Sequence, residues 1–335
     1  MPVLVSTVPK SRFDLYQISF PAGWEVRFVD YPVPDEVLIE QCRGADFLFV
    51  GSVHAVSAKV IAESPSLRFI QVEGVGFDKV DVEAAAKHNL PICNNQGVNA
   101  VSVAEFTVGL MLSAQRRMAP ADREIKAGRF EECQKTYRGR GVNEIISRRV
   151  GLIGCGAIGR NVARMLMPFG CQVVYYDEYR PSLEVEKELQ LTYVELEELI
   201  RTCDIISLHV PVLPHTVNMI SKSQIEMMKT SALIINASRG EILDQYALAE
   251  ALEAGRIYGA AIDTLSPEPP GADHPLLNLS PEARDRLLVT PHVAGTTNEA
   301  FTDMLKRALA NMERVWAGEK PQNIVNGVAE ARSNA

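Results

Sequence analysis

The chain has 335 residues, 47% of them hydrophobic and 23% charged, with a net charge of −8 and six cysteines. That length exceeds what one hydrophobic core usually organises, so two domains are expected, and the chain is too apolar to be disordered. The acidic balance argues against a phosphate-backbone partner such as nucleic acid, and no two cysteines form a CxxC pair that would announce a zinc site or a disulfide framework.

Along the chain, short β-rich runs alternate with helix-like segments, the pattern of parallel sheets with crossover helices. The first series is VLVSTV (3–8), EVRFVD (25–30), FLFVGS (47–52), FIQVEG (69–74) and PICNN (91–95). The stretch 99–116, NAVSVAEFTVGLMLSAQR, carries apolar residues at helical spacing and reads as a connector helix. Its most apolar part, Val101 to Ala114, is too short to cross a bilayer and contains Glu105. The opening MPVLVSTVPKSRF is a poor signal peptide, so a cytoplasmic protein that makes no use of a membrane is expected.

A second series runs through RVGLIG (149–154), CQVVYYD (171–177), DIISLHV (204–210), ALIINAS (232–238), GAAIDT (259–264) and RLLVTPH (286–292), with the Pro-rich SPEPPGADHP (266–275) as a loop. A last long helix, Asn298 to Trp316, is left over once the second sheet is built. It is expected to return to the first domain and make that domain discontinuous.

Within RVGLIGCGAIGR, Gly154, Gly156 and Gly159 stand as GxGxxG directly after a strand and before a helix. The first glycine makes the tight turn, the second lets the backbone approach a pyrophosphate, and the third permits close helix–strand packing. Ala157 and Ile158 then open a helix whose free N–H groups suit phosphate. An acidic residue ends the next strand, Asp177, placed to accept hydrogen bonds from the adenine ribose and repel a 2′-phosphate. NAD is therefore expected over NADP, with Arg180 the single hint in the other direction. No metal site is expected.

These pieces, with EGVGFDKVD (73–81), NNQGVNAVSVAEF (94–106), HVPVLPHT (209–216), INASRGEILD (235–244), AAIDTLSPEP (260–269) and TPHVAGTT (290–297), resemble in order the D-isomer-specific 2-hydroxyacid dehydrogenases over essentially the whole length. The resemblance implies an α/β protein of two Rossmann-like or flavodoxin-like domains with parallel sheets and an active-site cleft between them. Residues 1–100 plus 293–335 would form the substrate domain and 101–292 the NAD-binding domain. It implies a homodimer acting on a small 2-oxo or 2-hydroxy acid, with hydride moving between NAD(H) and the acid.

By the same resemblance Arg239 is the arginine that grips the substrate carboxylate and polarises the neighbouring carbonyl, a task its planar fork suits. His292 is the general acid and base. A buried Glu268 would bond the other ring nitrogen, fix the tautomer and favour the protonated ring. Asp263 would hold the nicotinamide carboxamide beside Ala237 and Ser238, while Val210, Pro211 and Thr216 line the adenosine side. The backbone N–H groups of Val75 and Gly76 would meet the substrate carboxylate, since flanking glycines let the main chain face a ligand. His54, His88, His209, His215 and His274 match no catalytic role.

Glu73 stands where the family often has a small or apolar residue, and Gln96 replaces a common proline. Both flank the expected substrate pocket and put substrate identity in question, as does the 130–142 stretch expected at its rim. Glu268 argues against a formate dehydrogenase-like member, which has no carboxylate behind its histidine. An NAD-sensing corepressor-like binding protein of the same fold and a short phosphoglycerate dehydrogenase stay as alternatives.

Overall fold

A computed structural model of the protein, described over residues 1–330, divides into two compact units: Met1–Asn99 with the segment from Thr296 onward, and Ala100–Gly295. The first holds strands β1 (Val3–Ser6), β2 (Glu25–Phe28), β3 (Phe47–Val50), β4 (Phe69–Val72) and β5 (Ile92–Cys93) in the order β2-β1-β3-β4-β5, all parallel. A parallel sheet is covered on both faces, which is why FLFV and FIQV are apolar without alternation. Phe47, Phe49 and Phe69 point to the face covered by Leu305, Ala308, Leu309 and Met312 of the Asn298–Trp316 helix. Leu48, Val50 and Ile70 point to the other, against Leu38, Val60, Ile61 and Ala85. The apolar stripe on the last helix, begun by Thr297 accepting from the Ala300 N–H at 3.1 Å, thus explains why the chain returns after the second sheet.

The second unit holds β6 (Arg149–Ile153), β7 (Gln172–Tyr176), β8 (Thr192–Tyr193), β9 (Ile205–Leu208), β10 (Leu233–Asn236), β11 (Gly259–Ile262) and β12 (Leu287–Val289). Their order is β12-β11-β10-β9-β6-β7-β8, all parallel, so the winding reverses between β6 and β9. Ligands of doubly wound sheets sit beyond the carboxyl ends at such a switch point. The Ala100–Gln115 helix covers one face of this sheet together with the Ala157–Leu166 helix, through Val103, Ala104, Met111, Val162, Ala163 and Leu166.

The 130–142 stretch is largely helical, Phe130–Arg140, and is preceded by the helix Met118–Lys126. Neither buries an apolar stripe of the kind that makes Ala100–Gln115 conspicuous, so the periodicity that reveals a helix is weak there. Among the described residues no helix is long and apolar enough to cross a membrane, and no group of His, Cys, Asp and Glu side chains could hold a metal ion. All six cysteines are free thiols.

Candidate active site

The phosphate loop follows β6 at the switch point. Gly154 has φ +102°, and a Cβ there would stand 2.8 Å from the backbone of His209, at the end of β9. A Cβ on Gly159 would meet the Gly154 carbonyl oxygen at 2.2 Å, whereas one on Gly156 would meet nothing within 4 Å. Two of the glycines are therefore required by the protein's own packing, and the third faces open space. Gly156 also caps the Ala157–Leu166 helix without a side chain, so no cap accepts from the first-turn N–H groups that Ala157 and Ile158 begin. These features fit a pyrophosphate.

Asp177, one residue past β7, accepts from the Cys155 N–H at 2.6 Å and the Tyr179 N–H at 2.8 Å, tying the phosphate loop to the neighbouring strand end. Arg180 is held elsewhere: its guanidinium is 2.8 Å from Glu186 and lies 4.4 Å from the Tyr193 ring centroid. His209 is 2.9 Å from the Ser207 hydroxyl, and burial pushes its imidazole down to about 4, so it is a neutral, structural histidine. Of the 209–216 loop, Val210 and Pro211 are not fully buried. Thr216 turns inward, its hydroxyl donating to the Pro211 carbonyl and accepting from the Leu213 N–H, both at 2.7 Å. Thr216 thus shapes this loop.

Arg239, Asp263 and His292 lie beyond the carboxyl ends of three adjacent strands, β10, β11 and β12. The Asn236 side chain fixes the first turn: it donates to the Arg239 carbonyl at 2.9 Å and accepts from the Ser238 N–H and hydroxyl at 3.0 and 2.9 Å. The Arg239 guanidinium itself donates to the Ser238 carbonyl at 2.8 Å, and Ala237 is buried beneath. Gly240 follows because a Cβ there would come within 2.4 Å of the Leu265 backbone; this close approach brings the arginine's turn against the loop that leads to Glu268.

Asp263 is 1% exposed, and its carboxylate accepts from the Thr290 hydroxyl at 2.6 Å and from the Val293 and Ala294 N–H groups at 3.0 and 2.9 Å. Its carbonyl also accepts from the His292 N–H at 2.7 Å. His292 has φ +53°, a left-handed backbone unusual for a non-glycine residue, and Asp263 brackets it from both sides. Sequence reasoning missed this use of Asp263, because nothing in the spacing says that β11 staples the turn after β12.

His292 Nδ1 lies 2.7 Å from Glu268 Oε2, and Glu268 Oε1 accepts from the Leu265 N–H at 2.9 Å. Against the expectation of a buried carboxylate, the Glu268 side chain is 37% exposed, because it stands on a loop beyond the strand ends. Partial burial alone would raise its carboxyl. The hydrogen bonds from His292 and Leu265, with the charges of His292 and Arg239, outweigh that and hold it below the usual carboxylate range. An ionised Glu268 can only accept, so Nδ1 carries a hydrogen and Nε2 is the ring nitrogen left to exchange a proton.

In the first unit, Glu73–Gly76 follow β4. The Asn95 side chain donates to the Glu73 carbonyl at 2.6 Å, Asn94 to the Val75 carbonyl at 2.7 Å, and the Asn95 N–H to the Gly74 carbonyl at 2.9 Å. With the carbonyls turned toward the loop after β5, the N–H groups of Val75 and Gly76 are left with no acceptor among the described residues. Glu73 is 6% exposed and pairs with Arg12 at 3.0 Å.

A doubly wound unit with a glycine phosphate loop at its switch point, and an arginine and a carboxylate–histidine pair on neighbouring strand ends, defines a dinucleotide-dependent oxidoreductase. Residues 108–294 match the family described as D-isomer specific 2-hydroxyacid dehydrogenase, NAD binding domain. The chain is 35% identical to a glyoxylate reductase of Korarchaeum cryptofilum, over 88% of this chain and 87% of that one. It is 37% identical to a D-3-phosphoglycerate dehydrogenase of Methanocaldococcus jannaschii, over 87% of this chain but only 53% of the relative. Among solved structures, the NAD-complexed D-isomer specific 2-hydroxyacid dehydrogenase of Lactobacillus delbrueckii ssp. bulgaricus superposes with a TM-score of 0.77 at 26% identity, covering 97% of this chain and all of that one. The protein belongs to the D-isomer-specific 2-hydroxyacid dehydrogenase family and is an NAD-dependent oxidoreductase of that class.

Proposed function

We propose that the protein is a cytoplasmic, homodimeric NADH-dependent reductase of a small 2-oxo acid, and that Arg239, Glu268 and His292 carry the reaction. The observation behind this reading is the 2.7 Å contact between Glu268 and His292 beside Arg239 on the adjoining strand ends. The cofactor, held by Gly154, Gly156, Ala157, Ile158, Gly159 and Asp177, with Val210 and Pro211 flanking it, supplies the hydride for the carbonyl carbon. Asp263, Ala237 and Ser238 hold the nicotinamide end through the backbone turns they build.

In the second unit Arg239 grips the substrate carboxylate; in the first, the free N–H groups of Val75 and Gly76 are donors suited to a carboxylate. As hydride reaches the carbon, negative charge grows on the carbonyl oxygen. The Arg239 guanidinium stabilises it, and His292 Nε2 delivers the proton that completes the hydroxyl group. Glu268 stabilises the imidazolium before transfer and keeps Nδ1 protonated after it, so the ring leaves the reduction neutral and serves as base in the reverse direction.

NADH oxidation screened against glyoxylate, pyruvate, hydroxypyruvate, phenylpyruvate and 2-ketogluconate tests the reading. Turnover of one or more of the smaller acids is expected. Cofactor binding without turnover of any 2-oxo acid would overturn it and favour a binding protein of the same fold.

A further inference from the structure

We propose that Glu73 and Arg12 form a charge-balancing pair that restricts the substrate to 2-oxo acids bearing a single anionic group. The proposal rests on Val75 and Gly76 being a seat for the substrate carboxylate. Glu73 lies two residues before Val75, with at most about 7 Å between their Cα atoms and a side chain's reach more to the carboxylate. An ionised carboxylate that close to the seat would repel any substrate unless it were neutralised. Arg12, on the Lys10–Leu15 helix after β1, neutralises it with one nitrogen 3.0 Å from Glu73 Oε1, and the guanidinium packs 4.7 Å from the Phe301 ring centroid.

The pair is asymmetric. The Glu73 side chain is 8% exposed and that of Arg12 is 35% exposed, so the glutamate is fixed beneath while the guanidinium keeps an open side. Arg12 on its own would attract a second carboxylate or a phosphate, as guanidinium groups do. Its charge is instead cancelled from below. The neighbouring cluster adds no cation, because burial and the charge of Arg12 lower the His54 imidazole, and its Nδ1 accepts from the Gly51 N–H at 3.3 Å and lies 2.7 Å from the Thr7 hydroxyl. Burial also raises the Glu73 carboxyl, and the Arg12 charge and hydrogen bond work against that rise.

The test is steady-state kinetics with NADH on Glu73→Gln, comparing kcat/KM for the monoanions glyoxylate and hydroxypyruvate with that for oxaloacetate and phosphohydroxypyruvate. Freeing the guanidinium is expected to raise the ratio of multianion to monoanion kcat/KM about tenfold, as one unit charge at about 7 Å and an intermediate dielectric would. The gain should lie mainly in KM, shrink at high salt, and vanish in Arg12→Gln/Glu73→Gln. Glu73→Met, apolar and of similar volume, should give the same direction and serves if the amide does not fold. An unchanged ratio in a folded variant, even one with lowered thermal stability, would overturn the proposal and leave the reductase reading intact. A parent enzyme inactive on every 2-oxo acid would overturn both.

Discussion

Replacing Asp263 by asparagine tests how the histidine is held. The carboxylate is almost fully buried and accepts three hydrogen bonds, from Thr290, Val293 and Ala294. An amide has one acceptor oxygen, so its NH₂ group must face a donor, and at least one backbone N–H loses its partner in a buried place. Bonds to a charged acceptor contribute about 1.5–3 kcal/mol each, and an orphaned buried donor costs a similar amount. Removing the desolvated charge offsets part of this, so a net loss of about 3 kcal/mol is expected. For a unit the size of Ala100–Gly295, this corresponds to a melting temperature lower by roughly 6–12 °C. Catalysis should suffer separately. His292 occupies a left-handed backbone that costs about 1–3 kcal/mol and persists only while its surroundings hold it. Once the turn at 293–294 loosens, misplacement of the imidazole should lower kcat by about a hundredfold. Calorimetry and steady-state kinetics on the purified variant measure both effects. A melting temperature within about 2 °C of the parent and kcat within about twofold would refute the staple.

Glu268→Gln keeps an acceptor for Nδ1 but removes the charge. With the charge beside the ring gone, kcat/KM for reduction should fall about tenfold in steady-state kinetics. Because the folded state holds the Glu268 carboxyl below its ordinary value, its contribution to stability is present above the ordinary carboxylate range and is lost as pH falls through the lowered value. Melting curves of parent and variant should therefore converge in acid. Arg239→Lys loses the planar fork, and kcat/KM should fall by about a hundredfold or more with NADH affinity nearly unchanged, as fluorescence titration would report. Asp177→Ser removes the carboxylate at the end of β7 and should narrow the preference for NADH over NADPH; equal use of both cofactors by the parent would count against that role.

The parts legible in the sequence are those where the backbone itself dictates the residue. Gly154 and Gly159 leave no room for a side chain, so their spacing declares the turn, and the apolar runs declare strands covered on both faces. Arg180 shows the limit. Three residues past Asp177 it reads as a possible phosphate ligand, and only the fold reveals that Glu186 and Tyr193 already occupy it. The helices at 118–126 and 130–140 escaped notice because they are largely polar and bury little. Glu268 read as buried because a carboxylate paired with a histidine suggests a dry site, whereas its loop stands clear of the strand ends.

The convergence of Arg239, Asp263 and His292 is hidden in spacing yet follows from register. In the parallel ladder Asn236 pairs with Ile262, and Ile262 with Val289. Three residues beyond the first of these, one beyond the second and three beyond the third stand the arginine, the aspartate and the histidine. Once β10, β11 and β12 are recognised as neighbours in a right-handed parallel winding, their carboxyl ends must share one edge. The chemistry of the site then depends on two local devices no ladder supplies: the close approach at Gly240, which carries the Glu268 loop toward the arginine, and the Asp263 carboxylate, which turns the chain so that His292 meets Glu268.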